Sequence, residues 1–303
     1  MSNLTAKDLY GCMTALVTPM TKQGKIHLEQ WKSLLRKQIA AKVKAVIVAG
    51  TTGESAVLTD KEFVQLLTVA VEQCHGTQTA VIAQTGSISA DKVIANNKVA
   101  FELGAQAVLV VTPYYLRTTQ EGLYQHFKKI ADISPLPVVL YNVPSRTQND
   151  LLPQTSKKLS SHKKIIGLKE ASPDEQRVVK LVDIIKASDF HVMSGCDDTF
   201  VDSMQQGATG VISVASNVRP QAVVQICNFM ALGDTISAKK LNSSLDNLYK
   251  VLSCQPNPIP VKYLMHEAAL IDEGIRLPLV WFDDKKVRTR DEILKIKQDY
   301  SNL

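Results

Sequence analysis

Short runs of apolar residues recur along the chain, and most are followed by a segment whose apolar positions repeat with helical spacing. Runs this short, with polar flanks, are typical of strands buried on both faces. Their separation of roughly 20 to 35 residues fits one strand, one helix and two short loops. The pattern therefore predicts an α/β fold in which eight parallel strands close into a (β/α)₈ barrel. The eight runs begin near Cys12, Ala45, Thr79, Ala107, Pro137, Ile165, His191 and Gly210.

The segments between these runs have helical periodicity, and several open with residues that favour a helix start, such as Thr59-Asp60 ahead of Glu62. After Gly233 the strand pattern stops, so we expect residues 1–232 to form the TIM barrel and residues 233–303 a C-terminal helical appendage. In the barrel, helices are predicted over Leu28 to Ala41, Asp60 to Gln73, Ser89 to Leu103, Gln120 to Ile133, Asp174 to Ala187, Thr199 to Gln206 and Pro220 to Ala231. In the appendage, they are predicted over Thr235 to Leu252, Pro260 to Glu273 and Asp291 to Tyr300.

Composition is that of a globular protein, with 45% hydrophobic and 21% charged residues among 303. No apolar run approaches the length of a membrane span, and Met1 to Tyr10 lacks an apolar signal-peptide region, so we expect a cytoplasmic protein. The five cysteines contain no C-x-x-C pair, and the six histidines form no i,i+4 pair. Neither a disulfide framework nor a metal site is therefore expected.

The formal charge of +6 is spread along the chain and favours anionic small molecules. No basic stripe with interleaved aromatic residues indicates a nucleic-acid partner. The densest basic stretch, Lys285 to Lys297, contains Asp291, Glu292 and several apolar residues. We interpret it as the solvent-exposed face of the last helix of the chain.

The stretch from Ile165 to Ala171 carries the strongest chemical signal, because its apolar run is followed by Lys169. In a barrel of this kind the carboxyl ends of the strands meet at the face that carries the active site. Burial there would lower the pKa of the lysine, and a neutral amine can attack a carbonyl and form an imine. The alternative is a structural lysine whose stem packs on apolar neighbours while its ammonium reaches water.

Other strand ends supply possible partners for this lysine. Gly50 to Ser55 forms a loop of small residues that is either a tight turn or a cradle for a carboxylate or phosphate oxygen. Tyr141 would lie near Lys169 and could transfer protons, and Arg146 offers a planar fork for a carboxylate. Their alternatives are a packed tyrosine and a surface ion pair.

Three further strand-end features are interpreted as structural. The adjacent aromatic residues in Thr112 to Tyr115 are typical of packing or of an interface. Cys196 has no paired histidine and is expected to fill space. Asp197-Asp198 is interpreted as a helix N-cap and not as a pair of catalytic carboxylates.

Seven motifs spread along the chain resemble the dihydrodipicolinate synthase family, and the match covers nearly the whole chain. GTTGES and the lysine strand are shared with the wider group of pyruvate-dependent aldolases, which includes N-acetylneuraminate lyase. The arginine of YNVPSRT is more discriminating, because the sialic acid lyases usually lack it. The motifs are GTTGES at 50–55, TPYY at 112–115, YNVPSRT at 141–147, GLKEA at 167–171, GVISV at 210–214, PNPIPVK at 256–262 and RLP at 276–278.

The resemblance implies a condensation of pyruvate with aspartate 4-semialdehyde to give 4-hydroxy-tetrahydrodipicolinate, without a cofactor or metal ion. Pyruvate would form an imine with Lys169, and Tyr141, Thr51 and Tyr115 would form the proton relay, with Tyr115 supplied by a neighbouring subunit. A homodimer, commonly paired into a homotetramer, is therefore implied. The substrate-binding residues would be Thr52 for the pyruvate carboxylate, Arg146 for the carboxylate of the second substrate, and Gly195 and Ile212 through their backbone.

Two alternative functions remain open from the sequence. One is a related aldolase that cleaves N-acetylneuraminate or a 2-keto-3-deoxy sugar acid. The other is a non-catalytic barrel that retains pyruvate as a sensor.

The chain departs from this family at four positions connected with inhibition by lysine, although Ser55, Ala56 and Tyr114 are kept. Lysine-inhibited members usually carry two histidines after GTTGESA, and an asparagine and a glutamate after the third strand. Here these positions are Asp60, Phe63, Ile88 and Lys92. Lys92 would repel the ammonium group of an incoming lysine, so weak or absent feedback inhibition is expected.

Overall fold

A computed structural model describes residues 2–174, 176–185, 189–283, 291 and 293, and it contains a closed barrel of eight parallel strands. Each strand pairs with the next along the chain, and β8 pairs with β1 to close the barrel. The predicted (β/α)₈ architecture is confirmed, with strand starts within one residue of the predicted positions. The strands are β1 (Gly11–Ala15), β2 (Ala45–Val48), β3 (Ala80–Gln84), β4 (Ala107–Val111), β5 (Val138–Asn142), β6 (Ile165–Glu170), β7 (His191–Ser194) and β8 (Gly210–Ser213).

Helices follow the strands, as the periodicity predicts. A capping box between Thr59 and Glu62 fixes the start of α2, since each side chain binds the backbone N–H of the other. The barrel helices are α1 (Leu28–Ala40), α2 (Asp60–Cys74), α3 (Ala90–Glu102), α4 (Gln120–Ile133), α5 (Pro144–Thr147), α6 (Pro153–Ser160), α7 (Arg177–Ile184), α8 (Phe200–Gln205) and α9 (Pro220–Ala231). They are followed by α10 (Thr235–Ser243), α11 (Asp246–Ser253) and α12 (Ile259–Glu267).

Several predicted helix boundaries are wrong. The sequence pattern predicts no helix between β5 and β6, where the short helices α5 and α6 each begin with a proline at the first turn. Helix α7 begins at Arg177 and not at Asp174, because the Asp174 carboxylate accepts the Gln176 N–H in a turn ahead of it.

In the C-terminal region, the segment predicted as one helix over Thr235 to Leu252 is two, because a turn at Ser244 and Leu245 separates α10 from α11. The helix predicted over Pro260 to Glu273 ends at Glu267. The predicted helix over Asp291 to Tyr300 and the basic stretch 285–297 lie outside the described residues, except for positions 291 and 293. The domain boundary at residue 232 stays a prediction.

Two apolar clusters fill the space on either side of the strands. The larger cluster lies between strands and helices, where the Trp31 indole N–H donates to the Leu66 carbonyl at 3.1 Å. The smaller cluster fills the barrel interior, and Tyr141 belongs to it. It also contains Met13, Ile47, Ile82, Leu109, Val139, Met193 and Ile212. The lysine and the tyrosine singled out from the sequence therefore lie at the end of a packed barrel interior.

Within the described part of the chain, no helix has the length and apolar character needed to cross a membrane.

Candidate active site

The Lys169 amine lies beside the Tyr141 phenol at the end of the barrel interior. The two residues are register partners on β5 and β6, and the Lys169 Nζ lies 4.5 Å from the centre of the Tyr141 ring. Lys169 is 5% exposed, and this burial lowers its pKa to about 8. Asp197 and Cys196 partly oppose the shift, whereas the Arg146 charge adds to it. The amine is thus much closer to neutrality at physiological pH than an exposed lysine.

The Tyr141 phenol is also buried, and burial raises its pKa to about 12. The Arg146 charge and a side-chain hydrogen bond with Thr51 act in the opposite direction. The phenol therefore stays protonated at neutral pH, and the Thr51 hydroxyl lies close enough to exchange a proton with it.

Four polar side chains hold the ends of β5 and β6 together directly behind this pair. The Asn142 amide Nδ2 donates to both Glu170 carboxylate oxygens at 3.1 Å and to the Asp150 carboxylate at 2.9 Å. Arg177 binds Asp150 through two hydrogen bonds of 2.8 Å. Burial raises the pKa of Glu170 to about 6. This network fixes the neighbours of Tyr141 and Lys169, and the sequence reading missed it.

The Gly50 to Ser55 loop follows β2 and is held tightly from both sides. A Cβ atom on Gly53 would lie 3.1 Å from the Leu16 carbonyl oxygen, so only glycine fits without a shift. The Thr18 hydroxyl donates to the Gly53 carbonyl at 2.7 Å, and Glu54 adopts a left-handed conformation with φ of 62°. Within this loop Thr52 is 2% exposed.

A cavity of about 350 Å³ lies beside the loop and is lined by Thr51, Tyr114, Arg146 and Asn257, among others. The Asn257 amide Nδ2 donates to the Thr52 hydroxyl oxygen at 2.9 Å. Arg146, at the end of the short helix α5, donates from Nη2 to the Asn257 carbonyl at 3.3 Å. The two residues expected to bind carboxylates therefore contact the same residue of the C-terminal region.

Gly195 follows β7, the strand next to the one that carries Lys169, and Ile212 lies on the strand after that. The Gly195 N–H donates to the Glu170 carbonyl at 2.7 Å, and a Cβ atom on Gly195 would lie 2.9 Å from the Lys169 Cε. A larger residue at position 195 would displace the lysine stem. Ile212 lies on β8 and is fully buried in the same interior cluster as Tyr141.

Tyr115 does not join the other predicted site residues within this chain. Its side chain is 88% exposed, its φ is 71°, and it is absent from the lining of the cavity, where Tyr114 lies instead. A positive φ is strained for a residue with a side chain and persists only where surrounding structure or function maintains it.

The interpretation of Asp197-Asp198 as a helix N-cap is wrong for helix α8, whose N-cap is Thr199. The buried Asp197 carboxylate instead accepts the Ser213 hydroxyl at 2.5 Å and the N–H groups of Val214 and Ala215 at 2.9 Å. These bonds tie Asp197 to the end of β8 and to the two residues that follow it. Its charge also raises the pKa of Lys169.

Cys196 is half-buried beside this carboxylate, and burial raises the pKa of its thiol to about 11. Such a thiol is a poor nucleophile at neutral pH. Over the described ranges, no group of three or more histidine, cysteine, aspartate or glutamate side chains could hold a metal ion.

Asp60 and Lys92, which stand where lysine-inhibited family members are expected to carry lysine-binding residues, form an ion pair. The Lys92 Nζ lies 3.1 and 3.0 Å from the two Asp60 carboxylate oxygens, beside a cavity of about 80 Å³ that Asp60 and Phe63 line.

Comparison with known proteins gives a consistent family. The model of the dihydrodipicolinate synthetase family matches residues 8–297. The chain is 43% identical over 275 residues to 4-hydroxy-tetrahydrodipicolinate synthase of Pseudomonas aeruginosa, covering 91% of this chain and 94% of that protein. A Buchnera aphidicola protein of the same name is 42% identical and covers 97% of this chain and 98% of its own length.

Solved structures agree with the sequence relatives. Dihydrodipicolinate synthase of Acinetobacter baumannii, complexed with pyruvate, is similar with a TM-score of 0.92 and 38% identity, covering 97% of this chain and all of that chain. The enzyme of Cyanidioschyzon merolae with lysine bound has a TM-score of 0.91 and 31% identity, covering 98% of this chain and 99% of that one.

Proposed function

The chain belongs to the dihydrodipicolinate synthetase family, and from this premise we propose that Lys169 carries its reaction through a covalent imine. The reaction is the condensation of pyruvate with L-aspartate 4-semialdehyde to give 4-hydroxy-tetrahydrodipicolinate, in lysine and diaminopimelate biosynthesis. The enzyme is a lyase that forms a Schiff base. We assign it no cofactor and no metal ion, and we place it in the cytoplasm, where amino-acid biosynthesis takes its substrates.

The first step is capture of pyruvate. The neutral Lys169 amine attacks the C2 carbonyl of pyruvate, and loss of water gives the imine. A proton then leaves C3, and the resulting enamine is the carbon nucleophile. The lowered pKa of Lys169 supports this role, because only the neutral amine has a lone pair to donate.

The second step joins the two substrates. The enamine carbon attacks the aldehyde of the semialdehyde, and Tyr141 donates a proton to the oxygen that becomes a hydroxyl. The amino group of the second substrate then attacks the imine carbon, closes the ring and releases the Lys169 amine. Thr51 passes protons to and from Tyr141, consistent with its hydrogen bond to the phenol.

Each substrate carries a carboxylate that needs a partner. We assign the pyruvate carboxylate to the hydroxyl and backbone N–H of Thr52, and the carboxylate of the second substrate to the Arg146 guanidinium. Gly195 and Ile212 lie against the imine through their backbone. Thr52 is buried, and a buried donor aimed at an anion stabilises it more strongly than a water-exposed one does, whereas Arg146 is exposed.

We propose that Tyr115 completes the proton relay in the site of a neighbouring subunit. Its exposure and its strained backbone in the single chain both support a role outside that chain. The functional unit would then be a homodimer, alone or paired into a homotetramer.

The observation that carries the proposal is the placement of a buried amine with a lowered pKa 4.5 Å from the ring of a buried phenol. A substrate comparison tests the assigned reaction. With pyruvate present, we expect turnover of L-aspartate 4-semialdehyde and none of N-acetylneuraminate. A higher kcat/KM for cleavage of N-acetylneuraminate than for turnover of L-aspartate 4-semialdehyde would contradict the assignment. Pyruvate binding without any turnover would favour a non-catalytic pyruvate sensor.

A further inference from the structure

Asn257 makes hydrogen bonds to both of the side chains that are assigned to substrate carboxylates. Its side-chain Nδ2 donates to the Thr52 hydroxyl oxygen at 2.9 Å, and its main-chain carbonyl accepts from Arg146 Nη2 at 3.3 Å. The residue lies just before α12, 205 positions after Thr52. One residue of the C-terminal region therefore reaches both anion-binding side chains of the barrel.

The direction of the hydrogen bond between Asn257 and Thr52 determines whether the Thr52 hydroxyl can donate its hydrogen to another group. A hydroxyl has one hydrogen to donate and two lone pairs to accept with. Because Asn257 occupies a lone pair of the Thr52 oxygen, the Thr52 hydrogen stays available for an anion. An acceptor at position 257 would instead take that hydrogen.

The Asn257 amide is held in place although its own oxygen is not satisfied. The Oδ1 atom is buried and has no hydrogen-bond partner, which costs free energy in a folded chain. Buried polar atoms in this state are uncommon in proteins and need a specific reason.

A buried ion pair fixes the segment that carries Asn257. The Lys262 Nζ on α12 lies 2.5 Å from the Glu54 Oε1, and both side chains are 0% exposed. Glu54 follows Thr52 by two residues, and its second carboxylate oxygen accepts the Arg276 N–H at 3.0 Å. Glu54 thus ties the Thr52 loop to α12 and to the segment after it, close to the Asn257 contact.

We propose that Asn257 is a positioning residue for pyruvate binding, which directs the Thr52 hydroxyl hydrogen toward the pyruvate carboxylate. The inference rests on the proposed function, since it assumes that Thr52 binds pyruvate. It makes the C-terminal region a part of the substrate site.

The test compares Asn257→Ala and Asn257→Asp with wild-type enzyme in pyruvate titrations of the borohydride-trapped Lys169 adduct. Loss of the donor in Asn257→Ala should raise the pyruvate concentration for half-maximal trapping about tenfold. Asn257→Asp has nearly the shape of asparagine, but its carboxylate accepts the Thr52 hydrogen and repels the substrate, so its effect should be larger. The KM for the semialdehyde should change less than that for pyruvate, because both variants keep the main-chain carbonyl that binds Arg146.

Asn242→Ala is the matched control. Asn242 also makes one amide-to-hydroxyl contact in the C-terminal region, since its Oδ1 accepts from the Tyr249 hydroxyl at 2.9 Å. It does not line the cavity beside Arg146. This variant should titrate like wild type.

A double-mutant cycle separates positioning from packing. If Asn257 acts through the Thr52 hydroxyl, Asn257→Ala should add little to the loss of pyruvate affinity in Thr52→Val. Additive losses, or an Asn257→Asp variant milder than Asn257→Ala, would overturn the proposal. Absence of any Lys169 adduct in the wild type would instead refute the proposed function itself.

Discussion

Lys169 combines two properties that are seldom found together. Its side chain is buried, and yet it lies at the end of the barrel interior, where substrates must reach it. Desolvation lowers its pKa to about 8, and at pH 7 this leaves about one tenth of the amine neutral. At the ordinary value of 10.5, the neutral fraction would be about one in three thousand. The fold thus raises the concentration of the nucleophile by more than two orders of magnitude.

The first prediction concerns the pH dependence of imine formation. Since the neutral amine attacks, the initial rate of reductive trapping should rise about tenfold per pH unit below pH 8 and level off above it. Asp197→Asn removes a charge that raises the pKa of Lys169, so its profile should shift toward lower pH. A rate that kept rising to pH 10 would show that the amine titrates like an exposed lysine.

The second prediction concerns the phenol. Tyr141→Phe should lower kcat by about 10² to 10⁴, the usual contribution of a general acid or base. The pyruvate adduct on Lys169 should still form, because the amine is retained. Tyr249→Phe removes the hydroxyl of another buried tyrosine and should leave kcat within about twofold of wild type. Equal losses in the two variants would mean that the phenol is only structural.

At the residue scale, the sequence predicts contacts that follow from strand alternation and from strand ends. Tyr141 and Lys169 lie one residue before the ends of the neighbouring strands β5 and β6, so their pairing follows directly. Asp197 and Asn257 were missed as site residues because their partners lie on other elements. Their hydrogen bonds span 16 to 205 positions, and no local pattern encodes such pairings.

At the element scale, helix α12 and the loop after β2 form one structural unit, because a buried ion pair joins them. The loop has left-handed backbone at Glu54, and the buried Lys262–Glu54 pair fastens it to the helix. Arg276 adds hydrogen bonds to the Gly24 and Val57 carbonyls and an ion pair with Glu62 at the start of α2. The geometry of Thr51 and Thr52 therefore depends on residues more than 200 positions later.

The third prediction tests this unit. Lys262→Met should lower the free energy of unfolding in urea by about 3 to 5 kcal/mol, because it leaves the Glu54 carboxylate buried without a cation. The double variant Glu54→Gln with Lys262→Met should recover part of that loss. Lys22→Met removes an exposed ion pair with Glu273 and should cost less than about 1 kcal/mol. Equal losses for the two lysines would refute a specific role for the buried pair.

The sequence was least informative where elements are short. Helices α5 and α6 have four and eight residues, too few for a clear apolar period, and α5 carries Arg146. The left-handed residue Glu54 gives no sequence signal either, since glycine is the usual marker of that conformation.

The whole molecule is a barrel whose architecture follows from the regular spacing of eight apolar runs. Its site, however, lacks one expected member within the single chain, because Tyr115 is exposed. Sequence patterns within one chain do not show in which subunit's active site a side chain acts. The homodimer or homotetramer is therefore a prediction that rests on the family resemblance.

The fourth prediction is complementation between subunits. Lys169→Ala and Tyr115→Phe should each have low activity alone. Mixed dimers should contain one site with Lys169 from one chain and Tyr115 from the other, so dissociating and reassociating the two variants together should restore activity. If the mixture stays as inactive as the separate variants, Tyr115 does not act across the interface.

The fifth prediction concerns regulation. The Asp60–Lys92 ion pair occupies positions where lysine-inhibited relatives are expected to carry ligands for lysine, and Lys92 adds a positive charge. We therefore expect weak or no inhibition by L-lysine in a coupled assay. Substantial inhibition at sub-millimolar L-lysine would contradict this expectation.

The central claim is that Lys169 captures pyruvate, and covalent trapping tests it most directly. The protein is treated with borohydride in the presence of pyruvate, digested, and mapped by peptide mass spectrometry. We predict a pyruvate-derived adduct on the peptide that contains Lys169, and no adduct in Lys169→Ala. An adduct on a different lysine, or none in the wild-type protein, would contradict the account.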